Sequence, residues 1–307
     1  MEKRTFISLS TIPTRINDIE PVLESLINQT VKPYKIFINA PKKYARFSEK
    51  LVIPEFLSKK KFKDVVEVYY TDEDYGPATK FIGSLINKEI KPNDLLLITD
   101  DDIIKQNKWI EILLKNHKNN RVTSFVERSL GNKIIWGYLG YVFQKKFINL
   151  QEVVKFYKSV SSKCFLVDDH WLTGYCHYKK LEIYNVPISL AVIINKNGLP
   201  MNKDALVNIE GDNSRGIVSQ RCRNVIKDQY GVEFPFWCCL GCCKFGYPIK
   251  FEEGFGNVKN NSFMKFIIMM LVIAAAMKYL SVKNETILLV TSSSLLLYGL
   301  NYNNITK

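Results

Sequence analysis

The chain has 307 residues, 47% hydrophobic and 24% charged, enough to bury one substantial core and a small appendage. Its 43 Lys and Arg against 30 Asp and Glu give a net charge of +13, which suits phosphorylated ligands, polyanions or an anionic membrane surface. No nucleic-acid-binding signature or dense Arg tract accompanies the charge, so nucleic acid is not an expected partner. A secretory signal is not expected either, because Met1-Glu2-Lys3-Arg4 leads straight into a short strand-like segment. The seven cysteines, odd in number with four bunched together, do not read as a disulfide framework and fit a reducing compartment.

In chain order, residues 5–10 form a β-like run that ends in Ser10-Thr11-Ile12-Pro13-Thr14-Arg15, where Pro13 stops the strand and leaves a polar lip. Asn17 or Asp18 can cap a helix whose apolar residues Val22, Leu23, Leu26 and Ile27 fall at helical spacing. A strand at 36–38 and another at 65–70 follow, the second ending in the acidic tip Thr71-Asp72-Glu73-Asp74 and the turn Tyr75-Gly76-Pro77. Residues 78–87 read as a helix with Lys80 on its first turn, where side chain and helix N-terminus can both face an anion. Alternation of strand and helix predicts a mainly parallel sheet with right-handed crossovers.

The run Leu95-Leu96-Leu97-Ile98 then reads as a strand buried on both faces, and it delivers Thr99-Asp100-Asp101-Asp102. In an open α/β sheet the crevice outside the carboxyl ends of the strands is where ligands bind. Three adjacent carboxylates repel one another unless cations or donors compensate. In an extended segment Asp100 and Asp102 point one way and Asp101 the other, a pair suited to a hard divalent ion whose remaining positions are filled by ligand phosphates. The plain alternative is a solvated acidic loop.

Helix at 109–115 and strand at 121–126 follow, then glycines among aromatics in Trp136-Gly137-Tyr138-Leu139-Gly140-Tyr141, marking close approach of a ligand or backbone, or else aromatic packing. After a helix at 149–160, a strand-like 164–167 leads into Asp168-Asp169-His170-Trp171 at a helix start. There the helix dipole keeps a carboxylate ionised, and one of the two acts as N-cap. His170 and His177 are possible additions to a metal shell or merely surface residues. Strand material spans 183–194, and a turn-rich 211–216 precedes a helix at 217–229. Arg215, Arg221 and Arg223 can close there over a diphosphate or form a solvated face.

Taken together, Ser10-Thr11-Ile12-Pro13-Thr14-Arg15, Asp74-Tyr75-Gly76-Pro77-Ala78-Thr79-Lys80, Thr99-Asp100-Asp101-Asp102, the Gly137/Gly140 segment and Val167-Asp168-Asp169 resemble GT-A-fold glycosyltransferases, near family 2-like viral and bacterial members. The resemblance covers about residues 3–230. It implies a GT-A-like (Rossmann-like) α/β fold with a mixed, mainly parallel sheet. It also implies Mn²⁺ or Mg²⁺ held with a nucleotide-sugar diphosphate, Asp100 in the ribose and metal shell, Asp102 as metal ligand, and Asp169 as base supported by Asp168. Thr11, Arg15, Asp74, Lys80, Asp100, Asp101 and Arg215 would then line the nucleotide, and Asp101 can stand in for its neighbours. The acceptor would be a glycan, protein or lipid hydroxyl.

The C-terminal part differs in character. Residues 233–261 form a linker carrying Trp237-Cys238-Cys239-Leu240-Gly241-Cys242-Cys243, better suited to an interfacial, S-acylated segment than to a zinc site. Within 262–307 the apolar stretches 263–280 and 286–300 read as a short membrane hairpin, with Lys265 and Lys278 at the ends of the first. The expectation is a transferase domain over 1–232, facing the cytosol and anchored by its C-terminus. Buried core helices are the alternative.

Overall fold

The computed structural model describes residues 3–127, 133–188 and 214–233. The expected linker and membrane hairpin lie outside the described residues. Among the described residues no helix is long and apolar enough to cross a membrane.

The chain builds β1 (Thr5–Ser10), α1 (Glu20–Ile27), β2 (Lys35–Pro41), α2 (Lys60–Lys63), β3 (Val66–Thr71), α3 (Thr79–Ile86) and β4 (Leu95–Ile98). It continues through α4 (Trp109–Asn116), β5 (Arg121–Glu127), β6 (Tyr141–Gln144), α5 (Leu150–Cys164), α6 (Asp168–Tyr178) and β7 (Glu182–Ile188). The last described helix, Arg215–Tyr230, is α7 here. The strands form one seven-stranded sheet in the order β3-β2-β1-β4-β6-β5-β7. β6 pairs antiparallel with both β4 and β5, and the other pairings are parallel. This is the mixed, mainly parallel α/β sheet expected.

Alternation along the strands splits the core in two. Phe6, Phe37, Leu96, Ile98, Tyr141 and Phe143 point to the face covered by α3, α5, α6 and α7. Ile7, Leu9, Ile36, Ile38, Leu95 and Leu97 point to the face covered by α1 and α4. Every residue of β4 is therefore buried, which is why that strand reads as an unbroken aliphatic run. Each fully buried side chain of this kind contributes roughly 1.5–3 kcal/mol.

Three local expectations change. Neither Asn17 nor Asp18 caps α1: Ile19 holds that position, and the backbone turn Ile12–Asp18 closes itself through amides of Arg15, Ile16 and Asp18. Residues 164–167 are not a strand, because Cys164 ends α5 and a tight turn carries the chain directly into α6. The four-residue apolar run packs against the core from a helix end, so it needs no partner strand. Cys164 and Cys222 form a disulfide that joins α5 to α7, against the expectation of free thiols. The two are 58 residues apart in sequence, and only the packing of α7 on α5 brings them together.

The topology also places the crevice. From β1 the chain moves outward to β2 and β3, then returns past β1 to β4 on its other side. The order therefore reverses between β1 and β4, and the opening beyond their C-terminal ends is the switch point where open α/β sheets bind ligands.

Candidate active site

The residues after β1 and β4 meet at that switch point. The turn following β1 presents Thr11 and Arg15, and the bend following β4 presents Asp100, Asp101 and Asp102. Extended geometry ends at Ile98, so the expected pairing of Asp100 with Asp102 against Asp101 does not hold. Instead Arg15 Nη1 lies 2.6 Å from Asp101 Oδ1 and 3.6 Å from Asp102 Oδ2. Asp100 turns to Lys80, whose Nζ stands 2.9 Å from its Oδ1.

The charges differ accordingly. Burial pushes Asp100 up, but Lys80, then Lys105 and Arg215, more than offset it and hold Asp100 below its ordinary value. Asp101 is raised by burial despite Arg15, and the nearby Thr11 hydroxyl, outside good hydrogen-bonding geometry, only eases this. Asp102 is pushed up to about 6 by burial and by its two acidic neighbours, although its side chain is 39% exposed.

The second acidic group enters from α6, against the expectation that it follows a strand. Val167 is the N-cap, so Asp168 and Asp169 occupy the first helical positions and neither is the cap. Asp168 Oδ2 lies 2.5 Å from the same Lys80 Nζ that holds Asp100. Asp169 Oδ1 accepts the Gly137 amide at 2.8 Å. The helix dipole does not keep Asp169 ionised: burial first, then Asp168 and Asp100, push it up to about 8, outweighing Lys80 and Arg215.

Gly137 stands between the two groups. A Cβ there would lie 2.6 Å from Asp169 Oδ1 and 3.6 Å from Asp100 Oδ1, so the missing side chain lets the two carboxylates approach the same stretch of backbone. Gly140, at φ +101°, lies against Trp109, whose indole N–H donates to the Leu139 carbonyl. That contact fixes the far side of the same turn.

Of the other expected residues, Arg215 opens α7, is exposed, and reaches Asp100 and Asp169 by its field. Asp74 fastens loops: its two oxygens accept the amides of Ala45 and Gly76, each at 2.7 Å. His170 is buried in α6, where burial and then Arg223 and Arg215 lower its pKa. His177 contacts the Lys133 carbonyl through Nε2 at 2.7 Å.

Two site residues were missed in the sequence. Lys105 is buried, donates to the Tyr138 carbonyl at 2.5 Å, and is lowered to about 7 by burial against the pull of Asp100 and Asp102. Its signal was a lone cation just after the apolar pair Ile103-Ile104. Tyr141, opposite Ile98 on β6, buries a hydroxyl that has no partner among the described residues and lies within the field of Asp168, Asp169 and Asp100.

Among the described residues no three His, Cys, Asp or Glu side chains are gathered as a metal shell. Two features nonetheless fit a divalent cation: Asp101 Oδ2 is buried without a partner among the described residues, and burial and two acidic neighbours raise Asp102 despite Arg15 and Lys105. Hard cations held by one or two carboxylates and a ligand's phosphates need no third side chain.

No family model matches the sequence, and no curated protein is similar to it. Among solved structures, a 2-C-methyl-D-erythritol 4-phosphate cytidylyltransferase (IspD) of Francisella tularensis aligns with 66% of this chain and 94% of its own, at 11% identity and TM-score 0.40. The glycosyltransferase GlyE of Streptococcus pneumoniae aligns over 62% and 46%, at 12% identity and TM-score 0.39. TarS of S. aureus, residues 1–349, aligns over 63% and 60%, at 10% identity and TM-score 0.40. The chain thus spans less than half of the GlyE structure. These likenesses are too loose to establish a shared fold or activity, and the functional reading rests on the site's own residues.

Proposed function

We propose that the chain is a GT-A-type glycosyltransferase that moves a sugar from a nucleotide-diphosphate donor to a hydroxyl acceptor with inversion. The observation that carries this is the convergence at Gly137, where Asp100 and Asp169 arrive from separate elements at one backbone position. One carboxylate group serves the donor and the other serves the attacking hydroxyl. Thr11, Arg15 and Arg215 face the nucleotide diphosphate, whose charge matches their guanidinium and hydroxyl donors. Asp102, with Asp101 or Asp100, would hold Mn²⁺ or Mg²⁺, which when bound neutralises charge on the departing diphosphate.

Asp169 accepts the proton of the acceptor hydroxyl. The Gly137 amide fixes its Oδ1, which leaves Oδ2 for the acceptor. Because Asp169 is raised to about 8, its conjugate acid is strong enough a proton holder to make it a better base than an ordinary carboxylate.

The same shift favours a second reading. A group protonated near neutrality is no base until it loses its proton, and a retaining transfer or a nucleotidyl transfer needs none. Two screens with Mn²⁺ distinguish them, one of nucleotide sugars and one of nucleoside triphosphates paired with sugar 1-phosphates: the proposal expects release of a nucleoside diphosphate in the first, with an inverted product anomer. Release of pyrophosphate in the second, or a retained anomer read from its proton coupling in the first, overturns it.

Membrane anchoring through 263–300, with the domain on the cytosolic side, belongs to the proposal. Cys164 and Cys222 are fully buried, so the disulfide is shielded from soluble thiols on either side. Extraction of the full chain from membranes at high pH would remove the anchor from this reading.

A further inference from the structure

Lys80 was expected to face a phosphate. Its surroundings give it different work. The side chain is 3% exposed, and its Nζ is shared by Asp100 Oδ1 at 2.9 Å and Asp168 Oδ2 at 2.5 Å. An ammonium so enclosed, with a carboxylate on each side, has little left to offer a diphosphate in the crevice above. It does, however, touch both acidic groups at once, and they come from segments 68 positions apart (168 against 100), the bend after β4 and the start of α6.

The backbone beneath Lys80 is held as firmly as its head. Ser8 Oγ on β1 donates to the Lys80 carbonyl at 2.5 Å, and Asn39 Nδ2 on β2 donates to Ser8 Oγ at 2.7 Å. Gly83, one turn along α3, makes room for that asparagine: a Cβ there would stand 2.5 Å from Asn39 Oδ1. Two central strands therefore fix where α3 starts, α3 fixes Lys80, and Lys80 fixes two carboxylates. Burial alone would discharge the amine, but Asp100, Asp168 and Asp169 outweigh it and keep it cationic.

We propose that Lys80 is a positioning residue that couples the two carboxylate groups, holding Asp100 and Asp168 in one register from the sheet below. Calling these the donor and acceptor sides rests on the glycosyl-transfer reading, but the coupling itself does not. A phosphate clamp and a coupling residue differ in what they spare. Loss of a clamp weakens nucleotide binding, whereas loss of the coupling leaves binding and lowers turnover.

The test uses the full chain and Lys80→Met, which keeps the length of the side chain and removes its charge. Without any ligand, amide hydrogen exchange should quicken by at least about tenfold in both 99–103 and 167–171. A change in one segment only, or in neither, overturns the coupling. With Mn²⁺ and a panel of nucleoside diphosphates as probes, the dissociation constant should stay within about threefold, while kcat for nucleotide-sugar turnover falls about 100-fold. A weakened nucleotide with kcat preserved restores the clamp and sinks the proposal.

If Lys80→Met does not fold, Lys80→Met/Asp168→Asn removes one of the two stranded carboxylates and should fold. Relative to Asp168→Asn alone, exchange in 99–103 should quicken about tenfold, because Asp100 has then lost the ammonium that holds it. Unchanged exchange there would overturn the assignment. Should no nucleotide sugar support turnover in the unaltered protein, the transferase reading fails, and the exchange experiment still judges Lys80.

Discussion

The bend after β4 and the start of α6 both carry acidic runs, yet the protein treats them differently. Side-chain cations are set against the first group: Lys80 on Asp100, and Arg15 on Asp101 and, more distantly, Asp102. Among the described residues the second group is in salt-bridge contact with Lys80 alone, through Asp168, and Asp169 receives a backbone amide, with Lys80 and Arg215 acting on it from farther off. An amide favours the carboxylate less than a guanidinium or ammonium does, and a buried Asp169 rises to about 8 while Asp100 falls. Neighbouring carboxylates in one crevice thus carry different protonation states, which is how a site separates a charge-holding role from a proton-accepting one.

The hardest blow to that contrast is Asp169→Asn. The variant keeps an oxygen for the Gly137 amide but cannot accept a proton. Transfer should fall ~10²- to 10⁴-fold while nucleoside diphosphate binding with Mn²⁺ changes little; a turnover assay beside calorimetry checks it. Undiminished transfer would make the two acidic groups alike in having no base.

Next in size is the pH profile. A base raised to about 8 makes kcat/KM climb roughly tenfold per pH unit below that value and level above it. A limb at the ordinary carboxylate range would place the working base elsewhere.

Asp102→Asn probes the other side. Asp101 and Asp102 are both raised by burial first and by neighbouring carboxylates after it, so removing one charge eases the repulsion and also removes a ligand. Metal-dependent nucleotide affinity should drop by about tenfold or more, with thermal stability unchanged or higher. Affinity that ignores the substitution would detach the metal from this triplet.

The smallest effect is on stability, and its sign follows from Asp169. Between the ordinary aspartate value of 3.8 and about 8 the folded chain holds a proton that the unfolded chain has released. Stability therefore declines as pH rises through that window. Asp169→Asn escapes the decline, so its melting temperature should exceed the parent's by roughly 2–4 °C near pH 9 for each kcal/mol relieved, and match it near pH 4. Scanning calorimetry at the two pH values is sufficient.

Much of this was legible in the residues. Leu95-Leu96-Leu97-Ile98 announces a central strand because both its faces are buried, and helical spacing located α1, α3, α4 and α5 within a few residues. Arg15, Asp100 to Asp102, Asp169 and Arg215 do gather at one crevice. Direction was not legible. Whether Asp100 faces Asp102 or Lys80 depends on where extended geometry stops, and that is decided by the bend after Ile98. The charge state of Asp169 depends on burial among Asp168, Asp100 and Gly137, contacts that no spacing reveals. Cys164 and Cys222 escaped for the same reason, being neighbours only once α7 lies on α5.

That cross-link has a consequence for the integrity of the chain. It closes a loop of 58 residues, a closure that removes roughly 4 kcal/mol of conformational freedom from the unfolded state in the chain-entropy account. It also encloses β7 and everything between residues 189 and 213. A protease cut within that interval would divide the polypeptide without releasing α7, because Cys222 remains bonded to Cys164 and Arg215 stays on the same helix. The nicked protein should migrate as one species until reduced and as two afterwards, so covalent continuity at the site does not depend on an unbroken backbone.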